Sequence, residues 1–143
     1  MLKLWNRKGF TIIELLIVIT VIAILIGIAL PRFRGIQDEG NTARAKGELR
    51  TLQTAVESYL MHNGVLPASG GLSVLLTAKP NLVGSVLPKD PFGASASTDY
   101  GYVKNGTYYI ITSVGPDDKV ATVADTGLVS DPGNAIYASN GTK

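Results

Sequence analysis

The sequence predicts an α+β fold in which one long N-terminal helix packs on a small antiparallel β-sheet. Three observations carry this expectation. Residues 10–30 form an unbroken apolar run, an amphipathic pattern continues from about residue 32 to Met61, and two β-rich stretches flank Asn105-Gly106. With 143 residues there is room for one domain plus an extension, and 45% hydrophobic against 17% charged residues excludes a solvated disordered chain. The absence of cysteine excludes disulfides and thiol chemistry, and a single histidine, His62, excludes a multi-histidine metal site.

The first element is FTIIELLIVITVIAILIGIAL, Phe10 to Leu30, with Glu14 as its one charge. As a helix its 21 residues span about 31 Å at ~1.5 Å per residue, enough for a bilayer core of about 30 Å. Lys3, Arg7 and Lys8 precede it, which orients the N-terminus to the cytoplasm and the remainder outward. Without those three cations the 13 basic and 11 acidic residues leave 10 − 11 = −1, so a basic nucleic-acid-binding face is not expected. A cleaved secretory signal has a shorter apolar core of about 7–15 residues. A plain membrane anchor leaves Glu14 unexplained, since a charge at mid-helix costs about 2.5–3.5 kcal/mol on insertion scales. Gly9 lies where the basic leader meets the apolar run. A cut after Gly9 exposes the amine of Phe10 and makes Glu14 the fifth residue, able to pair with that amine within one helix or between staggered copies.

KGFTIIELLIVITVIAIL followed by Pro31 resembles the class III leader and N-terminal helix of type IV pilins and of the pseudopilins of type II secretion. The resemblance implies cleavage after Gly9 by a prepilin peptidase, N-methylation of Phe10, storage in the inner membrane and extraction into a helical filament through Glu14. It divides the chain into a leader (1–9), a transmembrane and filament-core helix (10–30), and an amphipathic helix with a periplasmic globular domain (31–143).

Pro31 lacks a backbone donor, so a kink or locally melted stretch is expected between Gly27 and Gly35. Beyond it, Phe33, Ile36, Gly40, Ala43 and Gly47, then Leu49, Leu52, Val56 and Tyr59, recur at short steps read as one core-facing side. His62-Asn63-Gly64 closes the helix, with Gly64 suited to a left-handed cap and His62 to solvent or a carbonyl. LSVLLTAKP reads as a helical turn and VLPKDPFGAS as a turn-rich link. The runs 100–103 and 107–114 then form a hairpin about Asn105-Gly106, and the tail from Gly115 is polar and rich in turns.

The succession NGVLP, LPKDPFG, YGY and NGTYYIITSVGPDD is similar to the major pseudopilin family of type II secretion, giving a type IV pilin-like fold over nearly the whole chain to about Asp118. The chain departs from that family at Val65-Leu66, at Phe92 where Trp is usual, and in KVATVADTGLVSDPGN, which also lacks the late Trp. Asp117, Asp118, Asp125 and Asp131 supply hard oxygens suited to Ca²⁺, although loop aspartates also serve as turn formers and their spacing is not that of an EF-hand. The resemblance implies a calcium-tied loop, with Asp117 as one ligand and Asp131 or Asp125 as the second; Asp118 is a further candidate.

The expected function is therefore structural and not enzymatic: a homo-oligomeric pseudopilus subunit anchored in the inner membrane and projecting into the periplasm. The expected partners are the membrane, the prepilin peptidase, an inner-membrane assembly platform and minor pseudopilins, with no nucleic acid. A type IV pilus subunit is the alternative within the fold, weakened by the missing cysteines that close a disulfide loop in many such pilins. A membrane-tethered periplasmic enzyme or binding domain is the alternative of another class, and His62 has no catalytic company in the sequence.

Overall fold

A computed structural model describes residues 9–95, 97–131, 133 and 135–142; Lys3, Arg7 and Lys8 of the leader lie outside the described residues. The chain divides into two compact units, residues 1–37 and 38–143, joined by a single helix, α1, over Ile12–Asn63.

In the first unit the apolar side chains of α1 are displayed outward, with Ile12 84% and Leu25 61% exposed. Such a surface calls for lipid or other apolar helices around it. The locally melted stretch expected as one outcome between Gly27 and Gly35 is not found: α1 is helical throughout, with Pro31 inside it. Proline deletes one donor, and the turns before and after it keep their own bonds, so a single missing bond does not end the helix.

The second unit is built on the other half of α1. Ala45, Leu49, Leu52, Ala55 and Val56 are its buried face, spaced by three and four residues or neighbouring such positions. Gly40, Ala43 and Gly47, expected to share that face, are exposed instead. The reason is the two-residue step from Gly47 to Leu49, which turns the pattern about 200° around the helix. At the C-terminus Gly64 adopts φ 70° and its N–H donates to the Leu60 carbonyl at 2.8 Å, as the sequence predicts. His62 Nδ1 donates to the Ser58 carbonyl at 2.9 Å.

After a 3₁₀ turn at Leu72–Leu76 come β1 (Gly101–Asn105) and β2 (Tyr108–Thr112), paired antiparallel with Asn105 opposite Tyr108. The tail adds three strands that its polar sequence does not announce. These are β3 (Thr122–Val123) and β4 (Val129–Ser130), paired with each other, and β5 (Tyr137–Ser139). The main sheet runs β1-β2-β5, with Ile111 of β2 opposite Ala138.

Strand β2 is buried on both faces because alternate side chains meet different layers. Tyr109 and Ile111 join Leu49, Leu52 and Val56 of α1 in the principal core, whereas Ile110 packs with Ala121, Val123 and Val129 of the small hairpin. The tail is thus a third layer and not a loose end. Asn140 fastens it: its Oδ1 accepts from the Tyr109 N–H at 2.8 Å and its Nδ2 donates to the Thr107 carbonyl at 3.0 Å.

Candidate functional site

Two regions carry the residues singled out by sequence. At the N-terminal junction Gly9 and Phe10 precede the helix, and Phe10 is 87% exposed. Thr11 is the N-cap of α1, and Glu14 is its third helical residue. The Glu14 N–H donates to Thr11 Oγ1 at 3.3 Å, and the Thr11 N–H donates to Glu14 Oε2 at 2.8 Å. The Thr11 hydroxyl adds a bond to the same carboxylate oxygen at 2.9 Å. This is a capping box, in which the two residues satisfy each other's orphan donors at a helix start. Glu14 therefore has a partner within its own chain, a role that the T-x-x-E spacing signals. Its carboxylate also lies in the first turn, where the helix dipole favours negative charge. Four residues separate Phe10 from Glu14, about 6 Å of helix rise, so a second copy displaced along the axis can bring its amine toward Glu14. Pro31, which follows the pilin-like N-terminal motif, lies well inside the helix.

The second region is the aspartate-bearing tail. Asp117 and Asp118 occupy the turn after β2, with Asp118 at φ 53°, a left-handed conformation that aspartate tolerates better than most residues. Asp117 lines a 310 Å³ hollow with Thr42, Lys46, Pro116, Ala135 and Ile136. Asp131 follows β4, and its Oδ1 accepts from the Gly133 N–H at 3.0 Å. The chain from Asp131 leads to Ile136, whose carbonyl accepts from the Ser113 N–H at 2.9 Å, next to the segment that enters the Asp117 turn. Asp125 is placed elsewhere. It sits in the β3–β4 turn closed by Gly127 N–H on the Ala124 carbonyl at 3.0 Å, and a Cβ at Gly127 would run into the Tyr108 ring. Tyr108 and Thr112 are opposite ends of β2, about 13 Å apart at ~3.3 Å per residue. The chain beyond Asp131 thus returns to the Thr112 end of β2, from which the Asp117 turn departs, whereas Asp125 lies in the turn beside the Tyr108 end.

Among the described residues no three of His, Asp and Glu gather as a metal-holding group. The donors these segments carry are the carboxylates of Asp117, Asp118 and Asp131 and the backbone carbonyls of the two turns. All are hard oxygens, and Ca²⁺ takes many of its 6–8 ligands from carbonyls and water, so the chemistry of this set fits it.

Asp90, which the sequence shows only as part of a proline-rich turn, holds the approach to Asp117. It is 3% exposed. Its Oδ1 accepts from the Phe92 N–H at 3.0 Å and the Ser113 hydroxyl at 2.7 Å, and its Oδ2 from the Val114 N–H at 2.7 Å. Both oxygens are used to fix the strand end from which the aspartate turn departs.

His62 lines a 580 Å³ hollow with Tyr59, Asn63, Val74, Thr77, Ala78 and Lys79, none of them a carboxylate that could orient a base.

Comparison with known proteins adds two family matches that abut along the chain. Residues 6–30 match the prokaryotic N-terminal methylation motif, and residues 32–131 match type II secretion system (T2SS), protein G. The type II secretion system core protein G of Escherichia coli (strain K12) is 30% identical over 133 residues, covering 84% of this chain and 89% of that protein. Its counterpart in Pectobacterium carotovorum subsp. carotovorum is 28% identical over 137 residues, covering 86% and 85%. The type IV major alpha-pilin of Moraxella bovis is 36% identical over 114 residues, covering 76% and 69%. No solved structure gives a significant match.

Proposed function

The chain belongs to the type II secretion system protein G family, a family of structural pseudopilin subunits and not of enzymes, and we propose the following course for it. A prepilin peptidase cuts after Gly9 at the cytoplasmic face and the Phe10 amine is methylated. Residues 10–30 hold the mature chain in the inner membrane with the globular unit in the periplasm. An assembly platform then draws copies of the chain into a periplasmic pseudopilus, with minor pseudopilins as further partners.

One observation supports this reading above the others: a methylation motif over residues 6–30 runs directly into a protein G domain over residues 32–131. The chemistry agrees with it. The outward apolar surface of α1 needs lipid before assembly and neighbouring helices after it. A carboxylate at residue 14 costs less in either setting when it is hydrogen-bonded to Thr11, and less again when a neighbour's amine lies beside it.

We also propose that Asp117 and Asp131, with backbone carbonyls, hold Ca²⁺. Bound there, the cation would cross-link the turn after β2 to the segment after β4; no step of assembly is assigned to it.

The likeness to the Moraxella bovis pilin favours a second reading, a type IV pilus fibre. Deletion of the gene in its own host separates the two. Loss of secretion of folded proteins, restored by the intact gene but not by a Gly9→Leu variant that keeps its leader, is the expected result. Unimpaired secretion with loss of surface fibres transfers the chain to the pilus.

A further inference from the structure

We infer that the outward face of α1 from Glu39 to Met61 docks a second copy of this chain, parallel and displaced by seven residues, so that Glu39 of one copy meets Lys46 of the next and Arg50 meets Glu57. The inference rests on the filament reading above and specifies its subunit register.

The face lies opposite the buried side of the helix. Gly40, Ala43, Gly47, Arg50, Thr54, Glu57 and Met61 follow one another at alternating steps of three and four, the spacing of a helix–helix seam, and all are exposed. Nothing lies within 4 Å of a Cβ built at Gly40 or Gly47. Crowding inside the chain therefore does not account for these glycines, each of which costs about 1 kcal/mol against alanine in a helix interior. A helix brought against them does, because the missing side chains let two backbones approach.

The charges beside this seam choose the occupant and the offset. Arg44 is satisfied within the chain by Glu48 at 2.8 Å. Glu39, Lys46 and Arg50 have no ion pair among the described residues. Glu57 uses Oε1 for the Tyr109 hydroxyl and the Gln53 amide, and Oε2 has no hydrogen-bond partner among the described residues. Along the stripe the signs run minus, plus, plus, minus. Two copies in register set like charges together, and a four-residue displacement sets Lys46 beside Arg50. A displacement of seven pairs Glu39 with Lys46 and Arg50 with Glu57, and it sets Gly40 of one copy level with Gly47 of the other. A displacement of eleven also pairs opposite charges, but it sets Gly40 against Thr51 and Gly47 against Ser58, which hold the backbones apart. Seven residues correspond to an axial step of about 10.5 Å. Copies anchored in one membrane in the same orientation supply the parallel arrangement.

The chain has no cysteine, so disulfide mapping of the full-length protein in its assembling host has a clean background. Residues 39 and 46 of one helix lie about 10.5 Å apart along the axis, beyond the Cα separation of roughly 4.4–6.8 Å that a disulfide spans. A ladder of cross-linked multimers thus reports contact between copies. Oxidised fibres of the Glu39→Cys/Lys46→Cys variant should give such a ladder, and those of Glu39→Cys/Arg50→Cys should not. Fibres without the first ladder, or with the second in its place, overturn the register while leaving the filament reading intact. If the wild-type chain forms no sedimentable polymer, the filament reading falls and the register with it. As an independent measure, Glu39→Lys should lower fibre yield at least tenfold, and adding Lys46→Glu should restore it with helicity unchanged throughout. A double variant as defective as the single one overturns the pairing.

Discussion

The Tyr100 hydroxyl donates to Glu48 Oε2 at 2.6 Å, joining the residue that enters β1 to the flank of α1. A second link, from the Tyr109 hydroxyl on the neighbouring strand β2 to Glu57 Oε1 at 3.1 Å, repeats this nine residues further along α1. Apolar contacts between helix and sheet tolerate small slides, whereas two directional bonds a fixed distance apart set one register. A hydrogen bond to a charged group contributes about 1.5–3 kcal/mol. Tyr100→Phe should therefore lower the melting temperature of the detergent-solubilised chain by several degrees without altering its insertion in the membrane. An unchanged melting curve would show that Leu49, Leu52 and Val56 hold the register unaided.

The same phenols predict an alkaline limit. Burial pushes Tyr102 up to about 12, and burial followed by the nearby carboxylates raises Tyr100 and Tyr109 further above their ordinary range. Below pH ~10 the phenols are protonated in folded and unfolded chains alike, and their contribution is fully present. As pH rises above that point the unfolded chain releases protons first, so stability falls through the folded-state values. The denaturant midpoint should decline between about pH 10 and 12, and Tyr102→Phe should make the decline shallower. Identical pH profiles for the two proteins would remove Tyr102 from the account.

Asp90 offers a sharper core test. Its carboxylate receives three donors from Phe92, Ser113 and Val114, and loss of the acceptor leaves them unpaired in a buried place. At about 1–3 kcal/mol for each unsatisfied group, partly recovered by relaxation, Asp90→Ala should destabilise by on the order of 3 kcal/mol. Asp90→Asn should do little better, since its amide nitrogen would face the Val114 N–H, donor against donor. Chemical denaturation of the three proteins measures both steps.

Much of this architecture is legible in the residues themselves, and the exceptions have physical causes. The long helix and the β1–β2 hairpin show because their periodicities extend over many residues and because Asn105-Gly106 marks the turn. Strands β3 and β4 have two residues each, too few to display alternation, and they form because Val123 and Val129 cover Ile110, a tertiary contact. Asp90 meets Ser113 across 23 residues of sequence, a distance no local pattern spans. Gly40, Ala43 and Gly47 do form a helical stripe, but spacing alone does not say whether a stripe faces its own core or a neighbour. The Thr11–Glu14 box is legible in its T-x-x-E spacing, although it sits inside an apolar run whose dominant signal is membrane insertion.

Glu14 combines a cap and a charge, and two substitutions separate them. Glutamine can close a capping box as glutamate does but cannot neutralise an amine. Valine does neither. If assembly requires the charge, Glu14→Gln should keep the first turn of α1 ordered and remain membrane-inserted, yet yield as few fibres as Glu14→Val. Amide exchange at Thr11 and at residue 14 reads the cap, and the sedimentable fraction reads assembly. Normal fibre yield from the glutamine variant would assign Glu14 to capping alone.

The strand register makes the calcium proposal selective among the aspartates. Asp117 lies in the turn that leaves the Thr112 end of β2 and the chain beyond Asp131 returns to that end, whereas Asp125 belongs to the turn near Tyr108. A cation bound by Asp117 and Asp131 would tie the turn after β2 to the segment after β4, so its binding energy would add to the stability of the tail. Chelation should lower the melting temperature of the full chain and speed proteolysis between residues 115 and 136. Asp117→Ala and Asp131→Ala should each reproduce the chelated state and respond no further to chelator. Asp125→Ala should keep the whole response, because Asp125 belongs to the β3–β4 turn and not to either segment that carries a proposed ligand. Mg²⁺, which requires a tighter octahedron and gives up water reluctantly, should restore little of the stability that Ca²⁺ restores. A melting temperature that is the same in excess Ca²⁺ and excess chelator would make these aspartates turn formers only, with Asn140 and the Ile136–Ser113 bond holding the tail.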